Sequence, residues 1–175
     1  RSQELPNGDV AGYQADMEAG PNHSGILYES NGRGIMATRG TRFELLANGS
    51  KVDLPALGTA AELQESVLSE QWNHYRVIAD GPQLIHEING QRMIEVVDRS
   101  NLARSRGTFA LQMHQGPPME VRYRNFEFRP LGSVELERDP EWIWGIEAPV
   151  DNEVRFFAHS FELKEAAVVE DGMFT

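Results

Sequence analysis

The amino-acid sequence predicts an all-β sandwich with one short helix. Turn-forming residues divide the chain into short segments, since 16 glycines and 9 prolines occur among 175 residues. Many of these segments alternate apolar and polar residues, which is the pattern of a strand with one buried and one exposed face. Short strands at regular spacing, with turn signals between them, are typical of sandwiches and barrels.

Two Asn-Gly pairs predict β-hairpins. This pair favours a tight hairpin turn because both residues tolerate a positive φ angle. Asn89-Gly90 has strongly alternating flanks, and Asn31-Gly32 repeats the pattern nearer the start of the chain. The predicted hairpins join 84–88 to 91–96 and 24–28 to 33–38.

Three further segments alternate large and polar side chains and are predicted as strands. They are residues 72–79, 108–114 and 121–129. Each should present one face to the core. Trp72 is predicted to be a core residue, because a tryptophan in a sandwich strand is more often buried than exposed.

One helix is predicted near residues 59–68. Thr59 and Glu62 have the spacing of a capping box, in which each side chain bonds the backbone N–H of the other residue. The apolar Leu63 and Val67 follow on one face of the helix. One short helix within a loop is compatible with a sandwich.

The composition of the chain changes after residue 131. Pro130, Gly132 and Pro140 surround a charged stretch, and residues 154–163 then alternate like a new strand. We therefore predict a sandwich over 1–131, a linker over 132–140 and the start of a second, incomplete β-sandwich over 141–175.

Charge and composition exclude several classes of partner. The formal net charge is -11 at pH 7, so a nucleic-acid backbone or an anionic lipid surface would be repelled. No apolar run reaches the roughly 18 residues that a membrane-spanning helix needs. The absence of cysteine excludes disulfides and thiolate chemistry. We expect neither nucleic-acid binding nor membrane insertion.

Two strands carry polar residues at period two and form the candidate site. Gln14 and Asp16 share one face of the first strand, and Gln112 and His114 share one face of the second. If both strands lie in one sheet, two amides, a carboxylate and an imidazole line one surface. Amides can grip sugar hydroxyls, while Asp and His can transfer protons. On pattern alone, plain solvent exposure of these strands is the commoner explanation.

A series of short motifs lies in one order along residues 1–131. The motifs are RSQ at 1–3, PNG at 6–8, GYQAD at 12–16, GILY at 25–28, WNxY at 72–75, ING at 88–90, GxFALQxH at 107–114 and VxYRNFxFRPL at 121–131. In this order they resemble the 3-keto-disaccharide hydrolase family. The resemblance implies a concanavalin A-like jelly-roll sandwich of antiparallel sheets. It also implies a partial domain, because the family has several strands before the position of Arg1.

The resemblance implies cleavage of a glycosidic bond in a sugar already oxidised at C3. The ketone acidifies the C2 proton, so a base removes it, the aglycone leaves from C1 by elimination, and water adds back. This chemistry needs no pair of carboxylates to stabilise an oxocarbenium ion. In this scheme the catalytic residues are Asp16 and His114, either of which would be the base, and the substrate-binding residues are Arg1, Tyr13, Gln14 and Gln112. Of the latter, Arg1, Gln14 and Gln112 would orient hydroxyls or stabilise the enolate that forms when the C2 proton is removed.

The need for a cofactor stays open at the level of sequence. No cofactor is certain, but a divalent cation held by Asp16 and His114 is an alternative way to stabilise the enolate. The expected partner is a carbohydrate, and the expected location is periplasmic or extracellular. The alternative function is a non-catalytic carbohydrate-binding, lectin-like module of a large secreted or cell-envelope protein, since sandwiches of this kind often bind without catalysis.

The end of the chain has a resemblance of its own. EWIW at 141–144, APVDNE at 148–153 and FFxxSF at 156–161 look like the opening of a galactose-binding-like sandwich. This resemblance covers few residues. It implies that the predicted second sandwich also belongs to a protein that acts on carbohydrate.

Overall fold

The computed structural model describes residues 1–18, 20–112, 120–131, 157–159 and 167–170, and this part of the chain is all-β with one short helix. Among these residues, no helix is long and apolar enough to cross a membrane. The elements are β1 (Ser2–Glu4), β2 (Val10–Ala15), β3 (Leu27–Ser30), β4 (Gly34–Ala37), β5 (Arg42–Leu45), β6 (Lys51–Asp53), α1 (Ala60–Gln64), β7 (Tyr75–Asp80), β8 (Gln83–Ile88), β9 (Gln91–Asp98), β10 (Phe109–Leu111), β11 (Glu127–Pro130), β12 (Phe157–His159) and β13 (Ala167–Glu170).

The strands form two main sheets, consistent with a jelly-roll-type sandwich. A four-stranded sheet has the order β1-β2-β3-β4, and a seven-stranded sheet has the order β11-β13-β7-β8-β9-β5-β6. β10 pairs with β12 in a small third sheet. The described pairs are antiparallel except β5 with β9, which run parallel. A parallel pair is possible there because a long connection, which contains β6, α1, β7 and β8, separates the two strands.

The main core lies between the two large sheets. Leu27 and Ala37 from the four-stranded sheet pack with Phe43, Leu84, Ile94 and Val96 from the seven-stranded sheet. A second cluster joins Leu63 of α1 to Tyr75, Ile88 and Met93. The short helix therefore covers one end of the sandwich.

Both predicted hairpins are confirmed. β8 and β9 pair on either side of Asn89 and Gly90, whose φ angles are 51° and 81°. Two consecutive left-handed residues are the geometry of a type I′ turn. β3 and β4 form the other hairpin, with Asn31 at a φ of 49°. It is shorter than predicted, because pairing begins only at Leu27.

The predicted capping box is also confirmed. The Glu62 backbone N–H donates to Thr59 Oγ1 at 3.2 Å, and the Thr59 backbone N–H donates to the Glu62 carboxylate at 2.8 Å. The helix is only five residues long. A helix this short depends on its cap and on the burial of Leu63, since nucleation is unfavourable.

The prediction that Trp72 is a core residue is wrong. Its exposed fraction is 38%, whereas its neighbour Asn73 is only 3% exposed. β7 begins at Tyr75, so Trp72 lies in the loop before the strand and is not subject to the alternation of that strand. The strands predicted at 108–114 and 121–129 are also shorter than expected. In the structure, β10 includes 109–111 and β11 includes 127–130.

Two short strands from the end of the chain join the sheets described above. β12 pairs with β10, and β13 lies between β7 and β11. The predicted linker at 132–140 lies outside the described residues. The domain boundary and the second sandwich therefore stay predictions.

A buried histidine couples the stability of this fold to pH. His86 is 2% exposed, and burial lowers its pKa from 6.5 to about 4. Between these values the unfolded chain binds a proton at this site and the folded chain does not. We expect the free energy of unfolding to fall by about 3 kcal/mol as pH falls from 6.5 to 4.

Urea unfolding at several pH values measures the free energy of unfolding of wild type and of His86→Gln. The glutamine amide can still donate a hydrogen bond to the Ile26 carbonyl, which lies 3.1 Å from His86 Nδ1. The variant should have a much flatter dependence on pH above 4.5. Below that pH, the carboxylates of the unfolded chain also begin to take up protons in both proteins. An unchanged slope in the variant between pH 5 and 6.5 would mean that another group is responsible.

Candidate functional site

Gln14 on β2 and Asp16 directly after β2 lie on the side of the sheet that faces away from the core. Tyr13 and Ala15, which alternate with them, pack against the two core clusters. Because successive strand residues point to opposite faces, Gln14 and Asp16 lie on the other face. Both are partly exposed. The period-two pattern of the sequence is therefore realised in the structure.

A close backbone approach brings Gln112 to the same surface. The Ser2 N–H donates to the Thr108 carbonyl at 3.2 Å, and the Thr108 N–H donates to the Ser2 carbonyl at 2.7 Å. This pairing sets the segment that leads into β10 beside β1. Gly107 permits it, because its φ is +144° and a Cβ there would lie only 2.2 Å from the Ser2 carbonyl oxygen.

The three polar residues form one hydrogen-bonded group, which we call the amide–carboxylate cluster: Gln14, Asp16 and Gln112. Gln14 Nε2 donates to Asp16 Oδ1 and also donates to Gln112 Oε1 at 2.8 Å. Both N–H donors of the Gln14 amide are thereby used within the cluster. The arrangement fixes the carboxylate beside a second amide, a combination that can accept a proton and bind hydroxyl groups.

His114 lies outside the described residues, so the pairing of Asp16 with His114 stays a prediction. The same holds for a divalent cation at these two residues. Within the described residues, no group of three or more His, Cys, Asp or Glu side chains could hold a metal ion.

Arg1 and Tyr13 are not brought to the amide–carboxylate cluster. The Tyr13 hydroxyl lies 2.5 Å from Asp98 Oδ2, and burial together with this hydrogen bond raises the pKa of Tyr13 to about 12. Arg1 donates to the backbone carbonyls of Ala79, at 2.9 Å, and Gly81. With Arg104 and others they line a cavity of about 300 Å³. Their roles in substrate binding stay predictions.

Buried groups behind Asp16 hold its backbone in place. The Asp16 N–H donates to the Ile26 carbonyl at 3.4 Å, and the Gly25 N–H donates to the Asp16 carbonyl at 3.0 Å. His86 Nδ1 also lies 3.1 Å from the Ile26 oxygen. Burial raises the pKa of Tyr75 well above its ordinary value, and the negative charge of Asp16 raises it further.

Sequence reasoning did not identify Gly25, Tyr75 or His86 as support for Asp16. Tyr75 and His86 lie far from Asp16 in the sequence and belong to the other large sheet, and their two rings are in contact at a centroid distance of 6.0 Å. No local pattern in the sequence predicts such a contact. Gly25 did carry a signal, since a glycine directly before an apolar run can mark a close approach.

Gly25→Ala is expected to lower the free energy of unfolding by about 2 to 3 kcal/mol. Gly25 has a φ of +88°, and an added Cβ would lie 2.8 Å from Met93 Cγ. The matched control is Gly49→Ala, where φ is +83° but no atom lies within 4 Å of the added Cβ. Chemical denaturation measures both. Equal losses in the two variants would show that Met93 imposes no restriction.

Comparison with known proteins identifies the family of the chain. A family model described as a 3-keto-alpha-glucoside-1,2-lyase-like domain matches residues 1–129. No curated protein and no solved structure gives a significant match. The match includes all three residues of the amide–carboxylate cluster and most of the 175-residue chain. The chain therefore belongs to the family of 3-keto-alpha-glucoside-1,2-lyase-like domains.

Proposed function

We propose that this domain cleaves 3-keto-glycosides by base-assisted elimination followed by hydration. One observation carries the proposal: the Asp16 carboxylate is held by Gln14 beside Gln112 on the solvent-facing side of the four-stranded sheet. Family membership supplies the substrate class. The proposed ligand is thus a carbohydrate with a ketone at C3.

Asp16 is the proposed base. It removes the proton from C2, which the neighbouring C3 ketone has acidified, and the electron pair of that C–H bond forms an enolate. As the enolate returns to a ketone, a C1–C2 double bond forms, the C1–O bond breaks, and the aglycone leaves and takes up the proton that Asp16 removed. Water then adds its hydroxyl group at C1 and its proton at C2, so the net reaction is hydrolysis.

Gln112 is the proposed stabiliser of the enolate. Its Oε1 accepts the hydrogen bond from Gln14, which orients the amide and directs its Nε2 away from Gln14. An N–H donor directed at the developing negative charge on the C3 oxygen lowers the barrier, because the interaction strengthens as the charge forms. Gln14 acts through the other two residues and is a positioning residue.

Turnover of 4-nitrophenyl 3-keto-α-glucoside in D₂O tests the proposal. Release of nitrophenolate reports cleavage, and mass spectrometry of the sugar reports its mechanism. Elimination and hydration should place one deuterium at C2 of each product molecule. Authentic 3-ketoglucose incubated in parallel controls for exchange after release.

Two results would contradict the proposal. Release of nitrophenolate without deuterium at C2 would indicate direct displacement at C1. Binding of the 3-keto-glucoside without release of nitrophenolate would indicate the alternative function, a non-catalytic carbohydrate-binding module.

A further inference from the structure

The loop before β7 holds Trp72 on the surface in an ordered conformation. The side chain of Asn73 stabilises this loop by three hydrogen bonds. Its Oδ1 accepts from the Leu68 N–H at 2.8 Å, and its Nδ2 donates to the carbonyls of Leu68 at 2.8 Å and Gln71 at 3.1 Å. Glu70 adopts a φ of 55°, which is uncommon for this residue type. Sparsely populated backbone conformations cluster at binding sites, because the surrounding structure must enforce them.

Arg124 stacks on the exposed indole. Its guanidinium carbon lies 3.9 Å from the centroid of the Trp72 ring, which is a close cation–π contact. Arg124 is itself exposed, and within the described part of the chain no hydrogen bond or ion pair involves it. Arg122, only two residues away, pairs with Glu120 at 2.6 Å.

Arg124 has no carboxylate partner among the described residues, although the chain is acidic. There are 27 Asp and Glu residues for 16 Lys and Arg residues. Several arginines on the strands do pair with acids, as Arg42 does with Glu95 and Arg76 with Glu87. Arg124 instead has its guanidinium against an aromatic ring, and the residue is exposed.

We propose that Trp72 and Arg124 form a binding site for acidic sugars, that is, sugars that carry a carboxylate. The planar guanidinium can donate two parallel hydrogen bonds to one carboxylate. The indole beside it offers apolar surface to the C–H groups of a sugar ring. The site goes beyond the proposed lyase activity, since it needs neither Asp16 nor a ketone at C3.

The local positive charge of Arg124, and not the overall charge of the protein, favours an anion at this position over a neutral sugar. With a net charge of -11, an anion is repelled by most of the surface, so its binding requires a local, preorganised cation. Stacking on Trp72 holds Arg124 in one orientation and lowers the entropy lost on binding. A neutral sugar would gain the stacking contact but not the charge-assisted hydrogen bonds.

A titration followed by ¹⁵N NMR tests this site. The indole N–H resonance of Trp72 is assigned by its loss in Trp72→Phe. Methyl β-D-glucuronide should shift this resonance saturably, whereas methyl β-D-glucoside should bind at least about tenfold more weakly. Acetate alone should also bind more weakly than the glucuronide, because it lacks the sugar ring.

Two variants distinguish the specific contribution of Arg124 to binding from the general effect of removing a positive charge. Arg124→Gln should weaken glucuronide binding by about tenfold or more. Arg122→Gln removes the same charge two residues away and should leave binding within about twofold, because that guanidinium is engaged by Glu120. Unchanged peaks elsewhere in the spectrum show that both variants are folded. The proposal fails if glucuronide and glucoside bind equally, if acetate binds as well as glucuronide, or if the two variants behave alike.

Discussion

Asp16→Asn is expected to lower kcat for cleavage of a 3-keto-glycoside by about 10²- to 10⁴-fold, the usual contribution of a positioned general base. Asparagine has the shape of aspartate, and its Oδ1 can still accept the hydrogen bond from Gln14 Nε2. It cannot accept a proton from C2. The loss should therefore fall on kcat much more than on KM, because the contacts that bind the sugar remain.

Asp53→Asn is the control for this variant. Asp53 lies on β6 with 76% of its side chain exposed and pairs with Lys51 at 2.8 Å. The same substitution there should leave turnover within about twofold of wild type, since exposed ion pairs contribute little. Nitrophenolate release is measured for the three proteins after their melting temperatures are compared. Turnover by a folded Asp16→Asn protein within tenfold of wild type would exclude Asp16 as the base.

Local structure was largely predictable from the sequence. The turn at Asn89 and Gly90 follows from the few residues that tolerate positive φ, and the helix cap follows from the spacing of Thr59 and Glu62. These signals act over a few residues, so no knowledge of the rest of the chain is needed. The same local reasoning was wrong for Trp72, because the strand starts only at Tyr75 and Trp72 lies in the loop before it.

The candidate site was only partly predictable. Alternation along one strand predicted that Gln14 and Asp16 share a face. The contact of Gln14 with Gln112 joins residues 98 positions apart and depends on the pairing of Ser2 with Thr108. The parallel pairing of β5 with β9 was not predicted either, since neither strand carries a signal for the direction of its partner. Sheet adjacency of this kind is a property of the whole fold.

Asp98 is the buried residue whose removal should destabilise the sandwich most. Its side chain is only 1% exposed. Oδ2 accepts from Tyr13 Oη at 2.5 Å and from Arg33 Nη2 at 2.8 Å, and Oδ1 accepts from Ser100 Oγ at 2.7 Å. Burial alone raises the pKa of Asp98, but hydrogen bonds from Arg33, Tyr13 and Ser100 lower it, and its net pKa lies below the ordinary value. The folded protein therefore holds the charged form.

Asp98→Ala is expected to lower the free energy of unfolding by about 4 kcal/mol, because it leaves the Arg33 guanidinium and the Tyr13 hydroxyl partly buried without this acceptor. Asp98→Asn should lose less at pH 7, since its amide oxygen still accepts one of these hydrogen bonds. The lowered pKa stabilises the fold above about pH 4, and this contribution disappears as pH falls through the folded-state pKa.

Urea denaturation from pH 7 to pH 3 distinguishes the contribution of the Asp98 charge to stability from the contribution of its shape. The difference in stability between wild type and Asp98→Asn should shrink below pH 4, where the unfolded wild-type chain takes up a proton at Asp98 before the folded protein does. Asp53→Ala is the control and should change stability by less than about 0.5 kcal/mol, because that side chain is exposed. A loss below 1 kcal/mol for Asp98→Ala would mean that water replaces the carboxylate. A difference in stability between wild type and Asp98→Asn that stays constant with pH would mean that the charge of Asp98 contributes nothing to stability.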